Sequence, residues 1–292
     1  MESSPTGTSS SSPPDQPDHR LSFHVKHMDG TSAAAPPTPE VAAAIFGDRL
    51  EFAERYVVEL ADTGITHGLI GPREAPRLWD RHVLGCAVFH PAFPLGATVG
   101  DIGSGAGLPG VVLGIVRPDL DIVLVEPLHR RAVWLQSTIE KLELDNVTVH
   151  EGRAESLWGV RRFPAVTARA VARMGALSGW CLPLLEAGGR LVAMKGASAP
   201  IEVEEDRAVI LAAGGVEVVV STFGEGYLEV PTTIVTVAVG DAPIVARPSA
   251  GARRGSKRPR KQPRSGSTTA AGRVSALEGS TPDGGACLDQ ET

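Results

Sequence analysis

Val99-Gly100-Asp101-Ile102-Gly103-Ser104-Gly105-Ala106-Gly107-Leu108-Pro109-Gly110 is the stretch whose reading decides the fold. An apolar, β-prone run from Ala97 to Ile102 leads into glycines at every second position, and a helix-like run follows from Val111 to Val116. Strand, tight glycine turn and helix start are the parts of a nucleotide-type ligand site. Glycine permits positive φ and lets the backbone come close to a ligand. The first amides of a helix lack intrahelical acceptors and suit a negative or polar group. A dinucleotide site spaces its glycines G-x-G-x-x-G around a phosphate. Here the spacing is Gly103-x-Gly105-x-Gly107, with Asp101 two residues ahead, and a plain glycine turn between strand and helix is the simplest alternative.

Outward from the loop toward the C-terminus, strand and helix patterns alternate. Thr98 to Ile102 is the first predicted strand, and its helix runs from Pro109 to Arg117. Asp121 to Val125 is the second strand and ends at Glu126; the apolar series Leu128, Val133, Trp134, Leu135, Ile139 and Leu142 marks the helix after it. Val147 to Val149 is the third strand, and Ala165 to Ala168, ending in Arg169, the fourth. A helix from about Gly175 to Leu185, closed by Gly188-Gly189, precedes a fifth strand from Arg190 to Met194 that ends in Lys195. After a helix carrying Glu202 to Arg207, Val216 to Val220 and Thr233 to Val239 are expected to close the sheet as an antiparallel pair. This order predicts an α/β sheet with helices on both faces. Toward the N-terminus, Thr38-Pro39-Glu40 reads as a helix start, with Thr38 as N-cap and Pro39 at the first helical position. Apolar residues at helical spacing follow as far as Leu60, with Gly47 as a possible break, and a second helical run extends from Leu78 to Phe89.

The chain has 292 residues and a formal net charge of -6. That length holds one sizeable domain with appendages. No run approaches the roughly 20 apolar residues of a membrane span, and the Ser/Pro-rich start lacks the apolar segment of a secretory signal. A cytoplasmic protein with no membrane partner is therefore expected. Cys86, Cys181 and Cys287 are scattered, which disfavours a disulfide framework and a metal site. Residues 1–38 are too poor in large apolar groups to fold and are expected to be a disordered extension. Seven Lys or Arg and no acid stand between Arg253 and Arg264. Residues 241–292 are thus expected to be a disordered basic tail, serving either to bind a polyanion or to solubilise the chain.

In a parallel α/β sheet, ligands sit beyond the C-terminal ends of the strands. Glu126 ends the second predicted strand about 20 residues past the loop, where a carboxylate can accept ribose hydroxyls. Ala154-Glu155 follows the third strand and could grip an adenine edge. Arg169 ends the fourth. Any one of these could be a solvated loop charge; their recurrence at consecutive strand ends is the signal.

The order D-x-G-x-G-x-G resembles motif I of class I S-adenosyl-L-methionine (SAM)-dependent methyltransferases. The larger set resembles one family of these. Asp101 to Gly110 with Leu-Pro-Gly, Val-Arg-Pro118, Glu126-Pro-Leu-His-Arg-Arg-Ala-Val-Trp-Leu135, Arg153-Ala-Glu155, Ala168-Arg-Ala170 and Met194-Lys-Gly196 look like the bacterial small-subunit ribosomal RNA methyltransferase G, or glucose-inhibited division protein B, family. The likeness runs from about Pro39 to Gly240 and looks closest to the actinobacterial branch. It implies a class I, Rossmann-like fold with a seven-stranded sheet and an N-terminal helical cap. The domains implied are a methyltransferase domain at 39–240, with the cap at 39–96 and the SAM-binding core at 97–240. It also implies N7-methylation of one guanine in the 530 loop of 16S rRNA, on free rRNA or on the small subunit. By motif match, SAM binding falls to Gly103, Leu108, Ala154, Glu155 and Arg169. Asp101, Gly105 and Glu126 are added from the residue reading, Glu126 standing where the family more often has Asp. Arg81-His82 matches the family's Arg-His pair, and Arg81, His82, Arg173 and Lys195 are candidate RNA contacts. The chain departs from the family between Asp62 and Glu74, where a Trp-Asn…Asn-Leu-Thr stretch is common.

N7 of guanine carries a free lone pair, so no proton has to leave before attack. No general base and no metal is assigned; orientation is the expected source of rate. A dinucleotide oxidoreductase, a methyltransferase for a small molecule or another RNA, and a SAM-binding protein without catalysis are the rival readings. The glycine spacing opposes the first, and only the family likeness opposes the second.

Overall fold

The computed structural model describes residues 1 and 35–245. The basic run from Arg253 to Arg264, and most of both expected tails, lie outside the described residues. Seven strands form one sheet: β1 (Thr98–Ile102), β2 (Asp121–Glu126), β3 (Val147–Glu151), β4 (Phe163–Arg169), β5 (Leu185–Lys195), β6 (Gly215–Phe223) and β7 (Thr232–Val239). Their spatial order is β3-β2-β1-β4-β5-β7-β6. β1 to β5 are parallel, and β7 runs antiparallel to both β5 and β6. The order reverses between β1 and β4, which places the switch point of this α/β sheet, the usual ligand crevice, beyond the C-terminal ends of those strands.

Around the sheet stand α1 (Glu40–Phe46), α2 (Leu50–Glu59), α3 (Gly85–Ala87), α4 (Gly110–Val116), α5 (His129–Lys141), α6 (Met174–Cys181) and α7 (Ala199–Ala212). Side-chain alternation along each strand feeds two separate apolar clusters. Ile122 and Leu124 of β2 pack with α1, α2, α4 and α5. Val123 and Val125 pack on the other face with α6 and α7. Burial on both faces explains why β2 reads as an unbroken apolar run instead of an alternating one.

The segment before β1 is a cap laid on the α4–α5 face. Lys141 ion-pairs with Glu59 at 2.9 Å, Trp134 donates its indole N–H to Thr63 Oγ1 at 2.9 Å, and Arg49 Nε donates to the Ile115 carbonyl. Thr63 and Glu74 both belong to the stretch that departs from the family pattern.

Three expectations are corrected. Helix α1 begins at Glu40 with Pro39 as its cap residue, and Thr38 caps nothing; its hydroxyl donates to Glu54 at 2.8 Å. The run from Leu78 to Phe89 is not one α-helix. It is a π turn at Leu78–Leu84, then α3 and a 3₁₀ turn at His90–Ala92. The fifth strand starts at Leu185, not Arg190. Pro183 sits in a 3₁₀ turn at Leu182–Leu184 that ends α6 early. Leu185 is then free to pair with Phe163, and the Gly188-Gly189 pair lies in an irregularity of β5.

Candidate cofactor and substrate site

The loop after β1 turns on three glycines in the left-handed region: Gly103 (φ 73°), Gly105 (φ 59°) and Gly107 (φ 86°). It is fastened from three sides. The Gly103 and Ser104 amides both donate to the Val125 carbonyl of β2, at 2.8 and 3.3 Å. Tyr56, fully buried in α2, donates its hydroxyl to the Ala106 carbonyl at 2.6 Å, so the cap holds the crest of the loop. Glu126, only 2% exposed, accepts the Gly105 amide on Oε2 at 2.9 Å and the Leu128 amide on Oε1 at 3.0 Å. A carboxylate has about four acceptor sites, so each oxygen keeps acceptor capacity for a ligand hydroxyl. The Gly152 amide donates to the Glu126 carbonyl, and this link leads into the 3₁₀ turn Ala154–Leu157, where Ala154 is buried and Glu155 exposed.

Asp101 lies beneath the loop and is 0% exposed. Its Oδ2 accepts the Gly110 amide at 3.1 Å, and its Oδ1 meets no partner among the described residues. Burial pushes its carboxyl up to about 7. The expectation that the start of α4 offers free amides is corrected by the same contact. Gly110 N–H is taken by Asp101, and Val111 N–H by the Gly107 carbonyl at 2.8 Å. The helix end therefore offers neither of these two amides to a ligand.

Arg169, at the end of β4, reaches across to the cap. Its Nη2 donates to His82 Nδ1 at 2.6 Å and its Nη1 to Cys86 Sγ at 3.4 Å. His82 is 7% exposed, and its other nitrogen, Nε2, donates to Glu74 Oε2 at 2.9 Å. Burial, with the Arg169 charge second, pushes the imidazole down to about 4. Beside Arg169 opens a cavity of about 590 Å³ lined by residues including Arg77, Arg81, Met194, Lys195 and Thr233. Arg81 is exposed at its edge. Lys195 Nζ is largely buried between Glu202, at 2.7 Å, and the Ala172 carbonyl, at 2.9 Å. Arg173 is not brought to the cavity lining; it ion-pairs with Glu205 and Asp206 of α7, at 2.6 and 3.2 Å. Gly103, Glu126 and Arg169 therefore lie at or just past the C-terminal ends of the parallel strands β1, β2 and β4, on one edge of the sheet, while Leu108 is buried in the core cluster beside α4. Tyr56, Glu74 and Cys86 were not singled out from the sequence: Tyr56 and Cys86 act across 50 and 83 residues, and Glu74, eight residues from His82, lies in an irregular stretch with no pattern to mark it. Among the described residues no cluster of three or more His, Cys, Asp or Glu could hold a metal, and no helix is long and apolar enough to cross a membrane.

Asp101 and His82 make stability depend on pH with opposite signs. Asp101 titrates at about 7 in the fold against 3.8 ordinarily, so the fold binds its proton more tightly. Its contribution falls as pH rises from about 4 to about 7. His82 titrates at about 4 against 6.5; the unfolded chain binds that proton more tightly, so this contribution rises with pH from about 4 to about 6.5. Each effect is on the order of 3–4 kcal/mol, and the two largely cancel. Urea unfolding between pH 4 and 7 is expected to show stability rising with pH in Asp101→Asn and falling in His82→Phe. Identical pH profiles for both variants and the parent would contradict this.

A family model described as GidB, rRNA small subunit methyltransferase G, matches residues 49–230. The chain is 52% identical over 198 residues to the ribosomal RNA small subunit methyltransferase G of Pseudarthrobacter chlorophenolicus, covering 68% of this chain and 92% of that protein. It is 50% identical over 243 residues to the protein of that name from Salinispora arenicola, covering 78% of this chain and all of the relative. Among solved structures, it is similar to a precorrin-6y C5,15-methyltransferase from Geobacter metallireducens, with 17% identity, a TM-score of 0.40, and 58% of this chain and 89% of that chain covered.

Proposed function

Since this chain belongs to the GidB family of rRNA small subunit methyltransferase G, we propose that it transfers a methyl group from S-adenosyl-L-methionine to N7 of one guanine of 16S rRNA. The observation that carries this reading is the set of groups at the C-terminal ends of neighbouring parallel strands. They are a glycine loop after β1, an acid at the end of β2 bonded to that loop, and Arg169 at the end of β4, which borders a cavity. The residues present fit the cofactor. A Cβ at Gly105 would meet nothing nearer than the Gly103 carbonyl, 3.8 Å away, so the loop leaves room for a close ligand.

S-adenosyl-L-methionine, when bound, supplies an electrophilic sulfonium methyl. Gly103, Gly105 and Leu108 would border its amino-acid part. Glu126 would accept the ribose hydroxyls, and Ala154 with Glu155 would meet the adenine edge. Asp101 acts from below by fixing the start of α4. On the acceptor side, Arg81 at the cavity mouth would meet phosphate or base, while Lys195, already paired with Glu202, would shape the cavity wall. Guanine N7 needs no deprotonation, so the chain's task is to orient the two partners, an effect that reaches about 7–11 kcal/mol in favourable cases. In this reading residues 39–240 act as the methyltransferase domain, and the basic run near 253–264 adds salt-sensitive affinity for RNA.

Calorimetric titration tests the cofactor half. The full chain is expected to bind S-adenosyl-L-methionine saturably and to ignore NADH. Binding of NADH alone would overturn it.

A further inference from the structure

Arg169 sits where the glycine loop meets the cavity, and what holds it there is unusual for an arginine. Its partner at 2.6 Å is an imidazole, not a carboxylate. Because His82 Nδ1 accepts from Arg169, the ring proton lies on Nε2, where it is donated to Glu74. The three side chains form one directed series, guanidinium to imidazole to carboxylate. It joins the end of β4 to two turns of the cap, Pro72–Arg77 and Leu78–Leu84. The second is a π turn, a feature often found where a helix shapes a functional site.

The choice of a neutral ring has a physical consequence. A carboxylate set directly on Arg169 would engage two parallel N–H groups and cancel most of the charge. An imidazole takes one N–H and adds no charge. Cys86 takes one more through its sulfur. Of the five N–H donors of a guanidinium, three then have no hydrogen-bond partner among the described residues, and Arg169 is part of the cavity lining. The acid of the series, Glu74, stands one ring further out, where it fixes the tautomer of His82 without neutralising Arg169.

We propose that His82, oriented by Glu74, is a positioning residue for Arg169: it fixes one edge of the guanidinium so that the charged opposite edge is presented to the anionic or carbonyl groups of the bound partners. This rests on the methyltransferase reading above. It assigns Glu74, from the stretch that departs from the family pattern, a role in methyl transfer through His82, beside its ion pairs with Arg77 and Arg81 at the cavity edge, at 3.9 and 3.4 Å.

The test is methyl transfer to 16S rRNA by the full chain, with kcat and KM separated and SAM affinity and thermal stability measured alongside. His82→Phe keeps a ring of similar volume but offers no acceptor; kcat is expected to fall at least 30-fold. His82→Asn places an amide oxygen near the Nδ1 position, and kcat is expected to return to within about 5-fold of the parent, since the acceptor is what matters. Glu74→Ala, at a partly exposed site, should lower kcat several-fold with SAM affinity held. Since Glu74 also pairs with Arg81 at 3.4 Å, Arg81→Ala is measured beside it and is expected to raise KM for rRNA and leave kcat near the parent. In an Arg169→Ala background, His82→Phe should cause no further loss, as expected for two residues acting as one unit. Equal kcat in His82→Phe and His82→Asn, or additive losses with Arg169→Ala, would overturn the positioning role. If the parent protein itself transfers no methyl group, the functional reading has failed, and this inference falls with it.

Discussion

Gly107→Ala is expected to destabilise the fold by about 2–5 kcal/mol, more than any other single change in the glycine loop. Two penalties act together. Gly107 has φ 86°, where a side chain is strained at a cost of about 1–2 kcal/mol. The added Cβ would also lie 2.5 Å from Val111 Cγ2, 3.1 Å from Leu135 Cδ2 and 3.2 Å from the Tyr56 hydroxyl. All three neighbours are fully buried, and overpacking of this kind costs about 1–3 kcal/mol. Gly105→Ala supplies the contrast. Its φ is also positive, but its Cβ points into open space, so stability should fall by only about 1–2 kcal/mol from backbone strain, while SAM affinity falls because the methyl enters the ligand space. Urea unfolding and SAM titration of the two variants separate the effects. Parent-like stability in Gly107→Ala would contradict the packing described.

Glu126→Ala is the second large expectation, and it concerns binding. The carboxylate holds the Gly105 and Leu128 amides at 2.9 and 3.0 Å. Hydrogen bonds to a charged group contribute about 1.5–3 kcal/mol each. Removing it frees the loop and deletes the acceptor for the ribose, so the Kd for S-adenosyl-L-methionine should rise about 100-fold or more, since 1.4 kcal/mol is tenfold. Glu126→Gln has nearly the same shape, but its NH₂ would face one of the two amides, donor against donor. An intermediate loss of about tenfold is expected. Calorimetry reads both variants; unchanged affinity in Glu126→Ala would remove Glu126 from the site.

The sequence carried much of this architecture because its signals are local. Glycines at every second position after an apolar run can hardly be other than a turn at a strand end, and the unbroken Ile122-Val123-Leu124-Val125 run marks a strand buried on both faces. Charged residues ending successive strands mark one edge of the sheet as the candidate ligand edge. What stayed hidden acts at a distance. Tyr56 reads as one more apolar helix position, yet it reaches Ala106 across 50 residues. Glu74 lies in a stretch without periodicity, and its partner His82 is turned inward by Arg169, 87 residues further along the chain. Arg173 reads like Arg81 in the sequence, and both are ion-paired, but Arg173 is drawn to Glu205 and Asp206 of α7, away from the cavity, whereas Arg81 pairs with Glu74 at its edge. The early start of β5 was masked by a glycine pair that mimics a helix stop.

The most direct measurement of the central claim is transfer of a tritiated methyl group from S-adenosyl-L-methionine by the purified full chain. The acceptors are unmodified 16S rRNA and, in parallel, small ribosomal subunits, followed by digestion to nucleosides. Label is expected in 7-methylguanosine, from a single position, on at least one of the two acceptors. Label in another nucleoside, or none on either acceptor from a protein that binds S-adenosyl-L-methionine, would contradict it.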